Sequence, residues 1–565
     1  MSDAAARPDP LAPRLGIALA VAVAAALVFL PALGGQFLGW DDNTTLTGNT
    51  GYRGLGGSQL GWMFTTTLMG HYVPLTWLSF AVTYVVFGMN PWGYHLGSLL
   101  LHALNAGLVA WLAWRLIGAG LAREGAAGPA GAERVAIAVG AAVAGLAFGV
   151  HPLRAESVAW ATDRGDVLCA TFYLAALVAY ARGVDGGGGL RWRPWGTLAL
   201  LAMTAALLSK EIAVTLPAVL LVLDAYPLRR PLSWGGRVRE KLPFLALALL
   251  GAAVAVAARA IGARFSTIEQ YGIGARLAMA AYSVWYFVAT SVWPAGLAPY
   301  HEPPMRVDLL VPRFLMAAIV VLALTVAVVL LRRRWPAGLA TWAAYALVLL
   351  PVSGLAHSGS HLVAERYGYL PGAALALLLG GIAAAAVRGG RVAPGRRVAV
   401  AALLLVLGLA LAGWAAVAWR HSASWHDNFT FWRVSAAADP ECRLCVLNLS
   451  AEYFNTGRFV EAEAWARRAM PLWPGRGTPH HRLGAALLAQ NRDAEAEAEL
   501  REAIRLAPRL AEAHRELGRL YARQGRTAEA ATALREALVL GVSPAEIEAL
   551  LRPLEAATPP ARRAP

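Results

Sequence analysis

Charge is scarce in this sequence. Only 15% of its 565 residues are Asp, Glu, Lys or Arg, against 58% hydrophobic, a balance too apolar for a soluble protein of this length. Cysteine is scarcer. Three residues exclude a disulfide framework, although Cys442 and Cys445 are spaced so that an oxidising compartment could bridge them. Acidic groups are also thin in the first 425 positions, 17 against 31 basic ones. What fills those positions instead is a series of apolar blocks of about 20 residues, the length of a bilayer-crossing helix, separated by short Arg-, Gly- and Pro-rich connections. The first block, from about Leu11 to Leu33, is too long for the core of a signal peptide and is followed by more of its kind, so it is expected to remain as a helix.

The formal charge of +15 raises the question of nucleic acid, but its distribution argues against that partner. Residues 426–565 are nearly balanced, with 19 basic and 18 acidic side chains. The excess clusters between apolar blocks, as in Arg229, Arg230, Arg237, Arg239 and Lys241 or Arg332, Arg333 and Arg334, as cytoplasmic loops of a membrane protein require. With the N-terminus inside, residues 34–73 form a first outer loop, and the basic connections fall inside if Pro74–Gly88 and the stretch 275–294 do not cross. This predicts about 11 spans plus interfacial helices, the last span ending near Ala418 with everything after it extracytoplasmic.

Beyond Trp425 the sequence repeats at an offset of 34 residues. Pro440, Pro474 and Pro508 recur at that interval, as do Leu449, Leu483 and Leu517, and Ala462, Ala496 and Ala530. Each unit reads as a helical hairpin whose small alanines allow close packing and whose turn carries Gly457, Asn491 or Gly525, residues that tolerate positive φ. Period and residue types match tetratricopeptide repeats, which stack into a solenoid suited to holding extended peptide.

The acidic residues of the first 425 positions concentrate at the predicted outer loops. Trp40-Asp41-Asp42-Asn43 is the sharpest element. Adjacent carboxylates raise one another's pKa, which suits a general base or a divalent-metal site, whereas the structural alternative is a helix cap. A second stretch runs from His151 to Asp166 and carries Arg154, Glu156, Asp163, Arg164 and Asp166. The third holds His357, His361, Glu365 and Arg366, whose spacing allows metal ligation but lacks a His-Glu-x-x-His motif. Lys210-Glu211 and Tyr300-His301-Glu302 border the same predicted face, and Glu269 joins its acids.

At these residues the chain resembles the transmembrane and tetratricopeptide-repeat-containing family, whose animal members are O-mannosyltransferases of the endoplasmic reticulum. The segments carrying the resemblance are Trp40-Asp41-Asp42, His71-Tyr72-Val73-Pro74-Leu75-Thr76 with Phe87-Gly88 and His95, His151 through Trp160, Ser209-Lys210-Glu211, Ala364-Glu365-Arg366-Tyr367, and the repeats. They run almost end to end. That family is similar to the GT-C glycosyltransferases, multi-span enzymes that take sugar from a polyprenyl-phosphate carrier.

The resemblance implies that Asp41 or Asp42 is the catalytic base. His151, Arg154, Glu156, Asp163, Arg164, Asp166, Lys210, Glu211, Glu365 and Arg366 would bind substrate, with Arg164, Lys210 and Arg366 facing the departing phosphate. A divalent metal, if one is used, would be held by Asp41, Asp42 and Glu156. Two positions depart from the family pattern. Gly165 stands where Lys is common and Val73 where Arg is common, and both remove a basic group.

The expected architecture is all-α. A GT-C-like membrane bundle covers 1–425, a repeat domain covers 426–554 with units near 440–473, 474–507 and 508–541 and a capping helix, and a disordered tail covers 555–565. The expected activity moves a sugar, mannose being the first candidate, from a polyprenyl-phosphate donor to a Ser or Thr hydroxyl of a protein presented by the repeats. Membrane lipid is the second partner class. Residue usage suggests a bacterial inner membrane, with the N-terminus cytoplasmic and the repeats periplasmic. The alternatives are a non-catalytic repeat scaffold and an oligosaccharide ligase or polymerase.

Overall fold

The computed structural model describes residues 11–122, 130–184, 189–261, 271–304, 307–355, 361–392 and 394–557, and among them every regular element is helical. His357, Glu269 and the tail beyond 557 lie outside the described residues. The chain divides into two compact units, Met1–Pro299 with Pro303–Asp427, and Asn428–Pro565 with Tyr300–Glu302.

Eight helices among the described residues of the first unit are long and apolar enough to cross a bilayer: Leu11–Val28, Pro91–Leu121, Gly131–Gly149, Ala161–Gly183, Trp234–Ile261, Pro312–Arg333, Gly372–Gly390 and Arg397–Trp425. The remainder of the expected 11 corresponds to shorter helices, Thr197–Leu207, Leu216–Ala225 and Pro336–Leu349. At about 1.5 Å per residue none of these reaches across a hydrocarbon core of about 30 Å. Pro74–Phe87, with 14 residues, and Ile273–Val292 are not among the eight.

Without water to drive apolar faces together, helices in lipid associate through close packing of small residues. Gly131–Gly149 and Gly372–Gly390 illustrate it. A Cβ added at Gly140 or Gly380 would collide with the other residue's carbonyl oxygen. The most enclosed span is Ala161–Gly183, 78% buried, whereas the apolar window of Arg397–Trp425 is wholly unburied. The enclosed helix is therefore the one that carries Asp163 and Asp166 into the interior.

The second unit stacks helical hairpins: Arg443–Asn455 with Phe459–Leu472, Gly477–Ala489 with Asp493–Leu506, and Ala511–Arg523 with Thr527–Val539, closed by Pro544–Ala557. The repeat positions explain the packing. Ala462, Ala496 and Ala530 are fully buried, and the hairpin turns place Gly457, Asn491 and Gly525 at φ of 76°, 61° and 76°, the left-handed region these residues tolerate best. Cys442 and Cys445 are bonded to each other at the start of the first repeat helix. Glu302, expected to border the site, instead belongs to this unit. Its carboxylate accepts from the Arg443 amide at 2.6 Å and pairs with the Arg443 guanidinium at 3.2 Å, capping that helix.

Candidate functional site

The loop after the first span reverses at Asp41 and Asp42, and the two carboxylates take different roles. Asp42 is fully buried. Its Oδ2 accepts from the Leu38 amide at 2.8 Å, and its Oδ1 accepts from the Thr162 amide at 3.1 Å and from the Thr162 hydroxyl. Burial pushes its carboxyl up to about 6, against the lowering effect of those hydrogen bonds. Asp42 thus fastens the loop to a segment 120 residues away. Asp41 lines a cavity of about 310 Å³.

Separate stretches of the first unit close around that cavity, among them Trp40 and Asp41, Met69 and His71, Trp160 with Thr162 and Asp163, Ser209 to Glu211 with Arg259, Pro351 and Val352, and His361 with Arg366 and Tyr367. Its cations are tethered by carboxylates. Lys210 bridges Asp163 at 3.2 Å and Asp166 at 2.5 Å. Burial draws the Lys210 ammonium down, but the two aspartates more than compensate and hold it above its ordinary value. Glu211 accepts from Arg259 and lies 3.3 Å from His71. Burial raises its carboxyl, yet His71, Arg259 and Lys210 together hold it well below the usual range. Arg366 binds Glu156 twice, through its guanidinium and through its own amide at 2.8 Å. Burial pushes the Glu156 carboxyl upward, while Arg366 opposes the shift. Two donors on acceptor-only oxygens favour the ionised form.

Aromatic packing fixes this arrangement. Trp160 is stacked on Trp425 at 5.8 Å, and the Arg366 guanidinium lies 5.5 Å from the Trp160 ring. Glu365, next to Arg366, receives His421 at 2.7 and 2.9 Å. Neighbouring residues of one dipeptide are thereby anchored to two different segments. At the cavity wall Met69 has φ of 57°, a strained conformation for a side-chain-bearing residue.

Several residues expected at the site are engaged elsewhere in the protein. Arg164, expected to face phosphate, donates to the Ser79 carbonyl, the Thr83 hydroxyl and the Tyr94 carbonyl, with its guanidinium 4.6 Å from the Phe80 ring. Arg154 donates to the carbonyls of Phe148, Gly368 and Tyr369 and so clasps the late loop. His151 is held between the Ser291 carbonyl and the Leu153 amide, and burial lowers its imidazole to about 3. None of the three lines the cavity, nor do Asp42, Glu156, Asp166 or Glu365. Those that do are Asp41, Asp163, Lys210, Glu211 and Arg366.

The metal set fares similarly. The oxygens of Asp42 and Glu156 already accept protein donors, and no group of three or more His, Cys, Asp or Glu among the described residues is arranged to hold a metal ion. Asp41, Asp42 and Glu156 therefore do not fit a shared metal site.

Sequence reasoning overlooked Arg259, His421 and Thr162 as members of the arrangement. Arg259 had a signal, a lone basic residue close to the end of an apolar span. Gly165 also has a packing correlate. It lines the cavity, and a Cβ there would lie 3.3 Å from the Thr76 hydroxyl, so a larger side chain has to displace Thr76.

No protein-family model matches the chain. Among solved structures, the APC/C hetero-tetramer Cut9-Hcn1 aligns over 85% of this chain and 89% of its own at 15% identity, but a TM-score of 0.23 carries no argument about fold. Curated relatives are informative. Protein O-mannosyl-transferase Tmtc3 of Drosophila melanogaster is 33% identical over 165 residues, 27% of this chain and 17% of that protein. TMTC2 of Mus musculus is 33% identical over 161 residues, 28% and 17%. Tmtc1 of Drosophila melanogaster is 34% identical over 148 residues, 26% and 14%. These alignments are partial, not end to end, and span about a sixth of the relatives' length. Over that share, the curated proteins this chain is similar to are protein O-mannosyl-transferases.

Proposed function

We propose that the chain is a multi-pass membrane glycosyltransferase that moves a sugar, mannose by analogy with its relatives, from a polyprenyl-phosphate donor to a Ser or Thr hydroxyl. The reading rests on one observation, that Asp41 shares a cavity with Lys210, Arg259 and Arg366. In this scheme Asp41 takes the proton of the acceptor hydroxyl as its oxygen attacks the anomeric carbon. The bond from that carbon to the carrier phosphate breaks, and the phosphate leaves with the bonding pair toward the cations. A direct displacement inverts the anomeric centre. The carboxylates tethering the cations keep the cavity from accumulating three uncompensated charges, which would be costly at a membrane border.

The cavity is proposed to open on the non-cytoplasmic side of a bacterial inner membrane, with the N-terminus cytoplasmic and the repeats, which follow Trp425 in the chain, in the same compartment as the cavity. The bonded Cys442 and Cys445 suit an oxidising compartment. The repeats are proposed to present the acceptor peptide. The bundle is proposed to cover 1–425 and the repeats 426–554, close to the division at Asp427 and Asn428.

The test compares glycoproteins from cells expressing the intact chain or Asp41→Asn, with purified protein and polyprenyl-phosphate mannose as the second arm. The expected outcome is a loss of about 10²–10⁴-fold in transfer with the protein still folded, as removal of a general base causes. Unchanged glycosylation would remove Asp41 from the chemistry and favour the scaffold.

A further inference from the structure

A second cavity, of about 300 Å³, occupies a different part of the bundle. Leu116, Leu223, Tyr226, Trp335, Ala340 and Gly381 are among its walls, and no Asp, Glu, Lys, Arg or His lines it. Its separation from the first cavity follows from two helices. Leu216–Ala225 starts four residues after Ile212, close in sequence to Glu211 of the first cavity, and ends at the second. Pro336–Leu349 starts at the second and ends just before Pro351 and Val352 of the first. Small side chains at Ala337, Ala340 and Ala344 leave a furrow between these helices.

The furrow is flanked by cations. The Arg229 guanidinium lies 5.3 Å from the ring of Tyr226, a wall residue, and Arg332, Arg333 and Arg334 directly precede Trp335, another wall residue, and are exposed. Among the described residues none of these four arginines pairs with a carboxylate. An apolar furrow walled by these two short helices and by the bilayer-length Pro91–Leu121 and Gly372–Gly390, with uncompensated arginines beside its walls, complements a molecule that has an acyl chain and an anionic head.

The geometry points to a binding site for one anionic glycerophospholipid, with an acyl chain in the furrow and its phosphate between Arg229 and Arg334. Bulk lipid would fill an apolar furrow whatever its headgroup, so the arginines are what confer selectivity. The polyprenyl-phosphate donor is a poorer occupant, since the transferase reading assigns its phosphate to the first cavity, beside Lys210 and Arg366. The preference for a glycerophospholipid over that carrier rests on the transferase reading, and the test, which reads lipid alone, keeps the two apart.

The full chain is reconstituted into nanodiscs of phosphatidylcholine with or without phosphatidylglycerol, extracted into detergent, and examined by native mass spectrometry for retained lipid. Retention of one phosphatidylglycerol per chain is expected. The double variant Arg229→Gln with Arg334→Gln should retain it about ten-fold less, a loss of roughly 1.4 kcal/mol in binding. Ala340→Phe, which fills the furrow without changing charge, should abolish retention. Should that variant fail to fold, the arginine pair carries the test alone. Equal retention by wild type and the arginine variant overturns the assignment, as does retention of phosphatidylcholine in preference to phosphatidylglycerol. Displacement of the bound lipid by an added polyprenyl phosphate would overturn it in favour of the carrier.

Discussion

Ion pairs are abundant in both units, but they lie in opposite settings. In the repeats they run along exposed helix faces, as between Arg505 and Glu502 or Arg458 and Glu461, three residues apart and open to water. Such pairs are screened and hold long side chains at an entropic cost, so each contributes little to stability. In the bundle, Glu156 with Arg366 and Lys210 with Asp163 and Asp166 are largely withdrawn from water. Removing charges from water has a large desolvation penalty that a pair barely offsets, so their retention is better explained by what they hold in place than by stability. The same residue types maintain solubility in one unit and shape a cavity in the other.

The contrast is broken most severely by removing one partner of a buried pair. Arg366→Ala leaves Glu156 buried without its cation and should destabilise the purified protein by about 3–5 kcal/mol in thermal or denaturant unfolding. Adding Glu156→Gln should recover part of the loss. If Arg366→Ala melts like wild type, the pair is not buried as described.

A smaller effect is expected at Asp42. Asp42→Asn puts an amide where Oδ2 accepts from Leu38, and should remove about 1–2 kcal/mol. The two proteins should also differ in pH dependence. The folded Asp42 carboxyl is raised to about 6 from an ordinary 3.8, so the folded state binds the proton more tightly. The stability this confers is complete below about pH 4 and disappears as pH rises through about 6. The wild-type melting temperature minus that of Asp42→Asn should fall across that window, and a flat difference would contradict the burial of Asp42. Smallest of all, Arg505→Ala in the repeats should leave the melting temperature unchanged within error.

The repeat unit was legible in the sequence almost to the residue, because a 34-residue period marks its own turns and the alanines that pack there. The structure sets the Thr162 amide 3.1 Å from Asp42, so the Asp41-Asp42 loop meets the segment that follows Glu156, whereas Glu156 itself does not line the cavity. Individual roles were harder to read. Arg164 sits among acids in sequence, which suggests an anion site, but its partners are the main-chain carbonyls of Ser79 and Tyr94, and no residue pattern announces a carbonyl. His421 and Arg259 have partners 56 and 48 residues away on other helices, so only the folded chain reveals them.

The turn at Asp41 and Asp42 sends one acid toward the cavity and locks the other into the protein, so the pair cannot be treated as redundant copies. A chain that kept a single acid here would have lost either its cavity carboxylate or its latch, and a count of carboxylates would not distinguish the two. Inserting one residue before Trp40 would keep the composition of the turn intact and still carry Asp41 into the place of the latch, leaving Trp40 where the acid at the cavity had been.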